Sequence, residues 1–509
     1  IEAVYHDLMK PDHYVNYDGI CLTDTFQLAE TKQQSLSQEF FKENSEGVLR
    51  QKKAPIRVII GNPPYSIGQK SANDNAANMT YPVLDKRVSD TYAAKSSANL
   101  TKALYDSYIK AFRWATDRIA DNSDGGIVAF ISNGSWLDGN AQDGFRACLE
   151  SEFTDIYVLN LRGNQRTSGE LSRKEGGKIF GGGSRTPITI TILVKNPAKN
   201  SKAATIHYHD IGDYLTREQK LNFIKKFKSV HGRTLDWEVI NPTEKHDWIN
   251  QRDGIFDQLI PVAPEKKFKI DEQSFFSTLS LGIATNKDTF LYDFSKESLC
   301  NKIESLISFY NSERMKLALN ANYELQTDPT KIVWTDMFKN SAKKQEIFKL
   351  DYSRFVESCY RPFTKQNFIF QKDLIQRTYQ QLRLFPTGIT SNKLICVSGI
   401  GVTKDFSCII TDQLPDLELI GKSQCFPLYW YEERKDIQGS LFDTDESKDR
   451  YKRHDGITDW ILKEVRKRFG NSKAITKEHI FYYVYGILHS PQYRERFAAD
   501  LKKSDRKST

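Results

Sequence analysis

The sequence predicts an α/β layered domain followed by a second, more β-rich domain that ends in helices. Three observations carry this expectation. The first half alternates apolar strand-like runs with segments of helical period. The texture changes near residues 265–275, where VAPEKKFKIDEQ is charged and proline-bearing. The chain has 509 residues, more than a single hydrophobic core accommodates. The expected boundaries are 1–265 and 266–509, the latter β-rich over 266–435 and helical over 436–509.

In chain order, IRVIIG (56–61) is, Arg57 aside, an apolar run of the kind found in buried parallel strands. Leu104, Tyr108, Phe112, Ala115 and Ile119 fall on one helical face. GGIVAFIS (125–132), TDIYVLNLRG (154–163) and PITITILVKN (187–196) read as further strands, with a helix over GFRACLESEF. Beyond the charged stretch, SLGIATNKDTFLYDF, NFIFQ, KLICVSG and DFSCIITD are short strand-like pieces. From about Gly439 the pattern turns helical, through TDWILKEVRKRF and KEHIFYYVYGILHSPQYRERFAADLKK. In that last segment Phe481, Tyr485 and Leu488 are spaced as a helix core face, while His479 and His489 form no metal pair.

Bulk composition narrows the function. Hydrophobic residues make up 39% and charged residues 27%, an ordinary globular balance. No run approaches the ~18 apolar residues of a membrane span, and no secretory leader pattern is present. The seven cysteines show no CxxC or zinc spacing, which points to reduced thiols in a cytoplasmic protein with no metal. The formal net charge is +8. Residues 451–509 hold 14 Lys and Arg against 7 Asp and Glu, a net +7 that leaves the remaining 450 residues near +1. A basic end on a near-neutral body suits a polyanion. The chain starts at Ile1 within what reads as mid-helix, which implies a piece of a longer polypeptide.

The chemistry concentrates at Asn62-Pro63-Pro64-Tyr65. Two prolines after a strand form a rigid stretch without N–H donors. Their carbonyls and the Asn62 side-chain carbonyl are acceptors, and Tyr65 adds a flat ring. The set suits a planar amine, held by hydrogen bonds while its ring stacks. The tetrapeptide arises by chance in roughly one chain of this length in a thousand. It follows an apolar strand, where open α/β sheets bind ligands.

This motif resembles that of S-adenosylmethionine-dependent amino-methyltransferases, chiefly DNA adenine N6 enzymes. The resemblance implies a Rossmann-like methyltransferase sheet. It implies that Asn62 and Pro63 accept hydrogen bonds from the target amine, that Tyr65 stacks on a flipped base, and that methyl transfer proceeds by positioning and electrostatics rather than a strong base. CLTDTF (21–26) matches the family's acidic loop, so Asp24, with Thr25, Phe26 and Asn62, would contact the cofactor. KIFGGGSRTPITITILVK (178–195) matches the segment whose aromatic closes the other face of the base, making Phe180 its candidate; a core phenylalanine before a glycine-rich turn is the plain alternative.

A narrower resemblance covers almost the whole chain. NPPYSIGQKSANDNAANMTYPVLDKRVSDTYAAKSSANLTKALYDSYIKAFRWA, LRGNQRTSGELSRKEGGKIFGGGSRTPITI, CYRPFTKQNFIF and EHIFYYVYGILHSPQYRERFAADLKK look like the type ISP restriction–modification enzymes. These join nuclease, helicase-like ATPase, adenine methyltransferase and target-recognition domain in one polypeptide. The resemblance implies the last two of these: a gamma-class N6-adenine methyltransferase and an α+β target-recognition domain acting on double-stranded DNA by base flipping, with upstream nuclease and ATPase domains as partners. Arg361, Lys365, Arg377, Lys393, Lys404, Lys463, Arg466 and Lys467 are candidate DNA contacts, each of which reads equally as a solvated charge. The family's F-x-G-x-G cofactor motif is missing. Phe180-Gly-Gly-Gly-Ser and Phe469-Gly-Asn-Ser-Lys both fail the pattern, so the methyltransferase sheet is expected to be N-terminally incomplete and this piece alone inactive or nearly so. Two alternatives remain open: a non-catalytic sequence-recognition module directing other domains, and a protein or RNA amino-methyltransferase.

Overall fold

The structure is a computed structural model that describes residues 7–8, 19–30, 42–64, 80–98, 100–120, 122–181, 184–227, 229–230, 235–264, 273–388, 390–400, 402, 404–434 and 450–503. The architecture is mixed α/β, with several sheets and helices. The chain divides into two compact units, Ile1–Gln251 and Arg252–Thr509. Residues 252–264, which the sequence expectation gave to the first domain, belong to the second unit, and their Phe256, Val262 and Ala263 are buried in its cores. The centre of the expected linker, residues 265–272, lies outside the described residues.

The first unit is built on a sheet of β1 (Val58–Gly61), β2 (Gly126–Asn133), β3 (Asp155–Asn160), β4 (Ile188–Lys195), β5 (Thr205–Asp210) and β6 (Glu238–Ile240). The spatial order is β1-β2-β4-β3-β5-β6. The β1–β2 and β3–β5 pairs are parallel, while β4 runs antiparallel to both of its neighbours. Helices α1 (Lys42–Lys53), α2 (Pro82–Val88), α3 (Ser107–Ala120), α4 (Asp143–Glu152), α5 (Gly169–Glu175) and α6 (Arg217–Lys226) connect and cover the strands. The helical face read from Leu104 to Ile119 is buried at all five positions, although the α-helix proper starts at Ser107, after a 3-10 turn over Lys102–Tyr105. The core stacks rings edge to face: Phe112 meets Phe130, Trp136 and Phe145, and Trp136 meets Trp248.

Strand β1 departs from expectation. It is apolar but not buried: Val58 is 54% exposed and Ile60 78%. The reason is position. β1 ends the sheet and pairs only with β2 among the described residues, so its solvent-side alternates have no covering layer there.

In the second unit, β7 (Ser280–Leu281) and β8 (Tyr292–Asp293) precede a 24-residue helix, α7 (Lys296–Leu319), and then α8 (Asp336–Lys343). The remaining strands are β9 (Phe355–Arg361), β10 (Thr364–Ile369), β11 (Leu394–Val397), β12 (Cys408–Thr411), β13 (Leu414–Pro415), β14 (Gln424–Pro427), β15 (Tyr429–Glu433) and β16 (Tyr451–Asp455). They form two four-stranded sheets, β13-β9-β10-β8 and β12-β11-β14-β7, and the β15–β16 pair. The chain ends in α9 (Asp459–Arg468), α10 (Lys477–His489), α11 (Pro491–Arg496) and α12 (Ala498–Lys503).

Two expectations change here. The β-rich stretch 266–435 also holds α7, whose Leu299, Ile303, Leu306, Ile307 and Tyr310 pack into the core. The helical stretch 436–509 opens with strand β16, held to β15 by cross-strand rings: His454 stacks on Trp430 at 4.1 Å, and the Arg453 guanidinium lies 4.3 Å from the Tyr429 ring centre. Phe481 and Leu488 are core, as their spacing implied, and Tyr485 packs against the same cluster. No described helix is long and apolar enough to cross a membrane.

Candidate functional site

Strand β1 delivers its final residue, Gly61, level with Phe130 of β2. The chain therefore leaves the sheet at the carboxyl ends of two parallel strands, the edge at which open α/β sheets bind ligands. Pro63 is buried, while Asn62 and Pro64 are exposed. The Asn62 side chain has no hydrogen-bond partner among the described residues, so its amide is available to a ligand. Tyr65 lies outside the described residues. Gly61 leaves room for its neighbour: a Cβ there would come to 3.2 Å from the Phe130 ring, which would have to shift by a few tenths of an ångström. Beside it, Asn133 ends β2 and its Oδ1 accepts from the Ser135 N–H at 2.9 Å, turning the backbone into a short 3-10 helix that buries Trp136.

Asp24 stands in an exposed turn whose geometry it sets. Its Oδ1 accepts from the Phe26 N–H at 2.9 Å and its Oδ2 from the Tyr81 hydroxyl at 2.8 Å. Thr25 starts the 3-10 turn Phe26–Ala29. The Phe26 ring meets the Tyr81 ring edge to face at 5.3 Å. Burial, and then the Asp24 carboxylate, push the Tyr81 phenol well above its usual range, so it stays a donor. Glu30 closes the same loop onto α2, accepting from the Val83 N–H at 3.0 Å and the Leu84 N–H at 3.1 Å. The structure thus gathers Asp24, Thr25 and Phe26 around a residue that sequence reasoning missed, Tyr81. The one signal for it was Tyr81-Pro82 ahead of a helical segment, a helix-start mark.

Phe180 is half-buried against a small cluster of Leu159, Leu161, Ile179, Ile188 and Ile211. Because Ile188 opens β4 opposite Asn133, the segment carrying Phe180 enters at the same sheet edge as Asn62. That segment is pinned from behind. Lys220, fully buried, donates to the Glu175 carbonyl at 2.7 Å, and Arg217 donates to the Ile179 carbonyl at 2.8 Å. Burial lowers the Lys220 ammonium to about 8. Gly176, at φ +67°, admits no side chain, since a Cβ would lie 2.2 Å from the Leu215 carbonyl oxygen.

The basic candidates of the second unit divide into two groups. Arg361 is committed internally: it binds Asp416 at 2.6 Å and the Tyr360 carbonyl at 2.7 Å, lies 3.5 Å from Asp288, and stacks 3.9 Å from the Tyr360 ring centre. Arg466 donates two hydrogen bonds to the Ile475 carbonyl, at 2.7 and 3.0 Å, tying α9 to the turn before α10. Lys393 hydrogen-bonds the Tyr482 hydroxyl. Arg377, Lys404, Lys463 and Lys467 are exposed, and the exposed Lys365 has only Glu357, at 3.9 Å. Among the described residues no group of His, Cys, Asp or Glu is arranged to hold a metal ion.

Comparison with known proteins fixes the class. Residues 274–505 match the family described as the Type ISP C-terminal specificity domain. Over those residues the chain carries that specificity domain, and along its whole length it is similar to Type ISP restriction–modification enzymes. Its whole length aligns with LlaGI, solved as a nuclease-deletion mutant in complex with a DNA substrate mimic (38% identity, TM-score 0.79), and with the ATP-dependent enzyme LlaBIII bound to DNA (37%, 0.81). It also aligns with DrdV in a DNA complex, at 33% identity and TM-score 0.79. The chain spans 38%, 32% and 47% of those three chains. A search of the curated proteins finds no match.

Proposed function

We propose that the chain carries the methyltransferase and target-recognition domains of a restriction–modification enzyme, and that its first unit methylates adenine N6 at specific sites in double-stranded DNA. The observation that carries this reading is Asn62: an exposed amide without a described partner, set at the carboxyl end of β1 against buried Pro63. Its side-chain carbonyl and the Pro63 carbonyl accept the two N–H groups of a flipped adenine and direct the nitrogen lone pair outward. Such fixed acceptors act without reorganising during the reaction. Phe180 stacks on one face of the base, and Tyr65 of the motif supplies the ring for the other. One stacked aromatic is worth about 1–3 kcal/mol, which offsets much of the few kcal/mol cost of flipping.

Asp24 fits S-adenosylmethionine as the methyl donor. A carboxylate has about four acceptor sites, and Phe26 N–H and Tyr81 O–H occupy one on each oxygen. Exposed sites remain for a hydroxyl or amino group of the cofactor, with Phe26 and Thr25 beside them. The group supplies an electrophilic methyl; the chain's residues hold and orient.

The test is methyl transfer from labelled S-adenosylmethionine to duplex DNA by the full-length protein and its Asn62→Ala variant. The variant is expected to lose about 10²–10³-fold with unchanged folding, since Asn62 is exposed. Equal transfer by both sinks the assignment, and label in protein or RNA instead of DNA moves the acceptor class. A second reading, a non-catalytic recognition module that directs nuclease and helicase domains, draws on the specificity-domain match over 274–505. On that reading the wild type transfers no methyl at all.

A further inference from the structure

Among the described residues of the second unit, Phe363 is the most exposed large apolar residue, at 94%. It sits at the tip of the β9–β10 hairpin, where Arg361 pairs with Thr364 and only Pro362 and Phe363 lie between them. Its φ is +62°. Proline fixes φ near −65°, so the loop has the φ signature of a type II turn, whose third position strongly favours glycine. A phenylalanine there sets two penalties together: a left-handed backbone for an L residue, and a whole aromatic ring in water. Strain of this kind persists where the surrounding structure holds it and a function uses it.

The mount is rigid. Arg361, immediately before the turn, is clamped by Asp416 at 2.6 Å and by its own stacking on Tyr360. Asp416 is buried, and the Tyr360 hydroxyl donates to Asp288 at 3.2 Å. Strand β13 runs parallel to β9, with Pro415 opposite Cys359. On the other side of the tip the register breaks between Thr364 and Lys365. The result is a ring carried on a braced hairpin with no partner among the described residues.

An exposed cation flanks the tip, with Glu357 3.9 Å from it. Lys365 follows the tip by two residues and is 56% exposed. Pro415 lies beside Cys359, Asp416 beside Ile283, and Ala284 beside Arg377. Arg377, at the end of that run of pairings, is exposed. An exposed apolar ring with an exposed lysine two residues away suits a nucleic-acid duplex: a cation holds a phosphate, and an apolar wedge enters between base steps.

We propose that Phe363 is a wedge that enters the base stack of the bound duplex. The inference rests on the reading of the second unit as a DNA-recognition domain, and it is independent of methyl transfer. It also gives Arg361 a role: a positioning residue that aims the ring rather than a phosphate contact.

The experiment starts from the full-length wild-type protein and a randomised 30-base-pair duplex library, from which bound duplexes are enriched and one is chosen. Phe363→Ala is expected to bind it roughly 5- to 150-fold more weakly, the loss of one stacked aromatic. The slope of log affinity against log salt is expected to stay unchanged, because no phosphate contact goes. Phe363→Trp restores binding. Phe363→Gly loses binding while its melting temperature rises by about 2–4 °C, as the left-handed position is relieved; that rise separates lost contact from lost fold. With 2-aminopurine placed along the chosen duplex, wild type raises fluorescence at one step and Phe363→Gly does not. Equal affinity of wild type and Phe363→Ala for an enriched duplex overturns the wedge alone, as does an unchanged fluorescence step. A wild type that enriches no duplex overturns the recognition reading and the wedge with it.

Discussion

Lys287 is 3% exposed, and its ammonium has no hydrogen-bond partner among the described residues. The nitrogen sits 3.8 Å from the Phe338 ring centre. Burial alone lowers its titration from 10.5 to about 7. Between those values the unfolded chain holds a proton that the folded chain does not, so stability rises as pH rises from 7 toward 10.5 and is level below 7. The gap corresponds to roughly 5 kcal/mol, of which the cation–π contact offsets up to about 2. Lys287→Met, which keeps the length and the contact with the ring, is therefore expected to stabilise the second unit by about 2–3 kcal/mol at pH 7. It should also flatten the rise above pH 7, checked by thermal or urea melts across pH. A wild-type slope that survives in Lys287→Met places the proton elsewhere.

At the scale of elements, α4 begins where backbone crowds backbone. A Cβ on Gly144 would lie 2.1 Å from the Tyr92 carbonyl oxygen and 2.6 Å from the Ser96 nitrogen. That backbone belongs to the π-helical stretch Ser89–Ala93 and the turn after it. Gly144→Ala has to push one backbone segment away from another, where no flexible side chain can yield instead. A cost of about 3 kcal/mol is expected, read as a lowered denaturation midpoint of the first unit. Helices such as α3 and α4 were legible in the sequence because apolar spacing records a helix's own period. Strand β1 was legible as a strand but not as an edge, because burial depends on which neighbours the sheet supplies. Strand β16 was hidden because its support, Trp430 and Tyr429, lies in a different stretch of the chain. The motif residues Asn62 and Asp24 could be named from local pattern, whereas Tyr81, 57 residues from the carboxylate it holds, becomes visible only once the chain is folded.

Over the whole molecule, the charge of +8 is concentrated in the last 59 residues, and the folded chain sorts that charge into two kinds. Lys463 and Lys467 project from α9 into solvent, while Arg466, between them in sequence, is spent on the Ile475 carbonyl. Sequence alone grouped all three as one basic cluster. On the proposed DNA-binding function they separate by experiment. Each phosphate contact contributes about 0.9 to the salt slope of binding. Lys463→Gln with Lys467→Gln is expected to lower the slope by about 2 and to weaken binding uniformly across sequences, with melting unchanged. Arg466→Gln is expected to leave the slope alone and instead to cost about 1–3 kcal/mol, since the half-buried Ile475 carbonyl in the α9–α10 turn loses its donor. Measured affinities from 50 to 200 mM salt, beside melting curves for the same variants, decide the matter. A slope that falls with Arg466→Gln and not with the lysine pair would reverse the assignment of contact and brace.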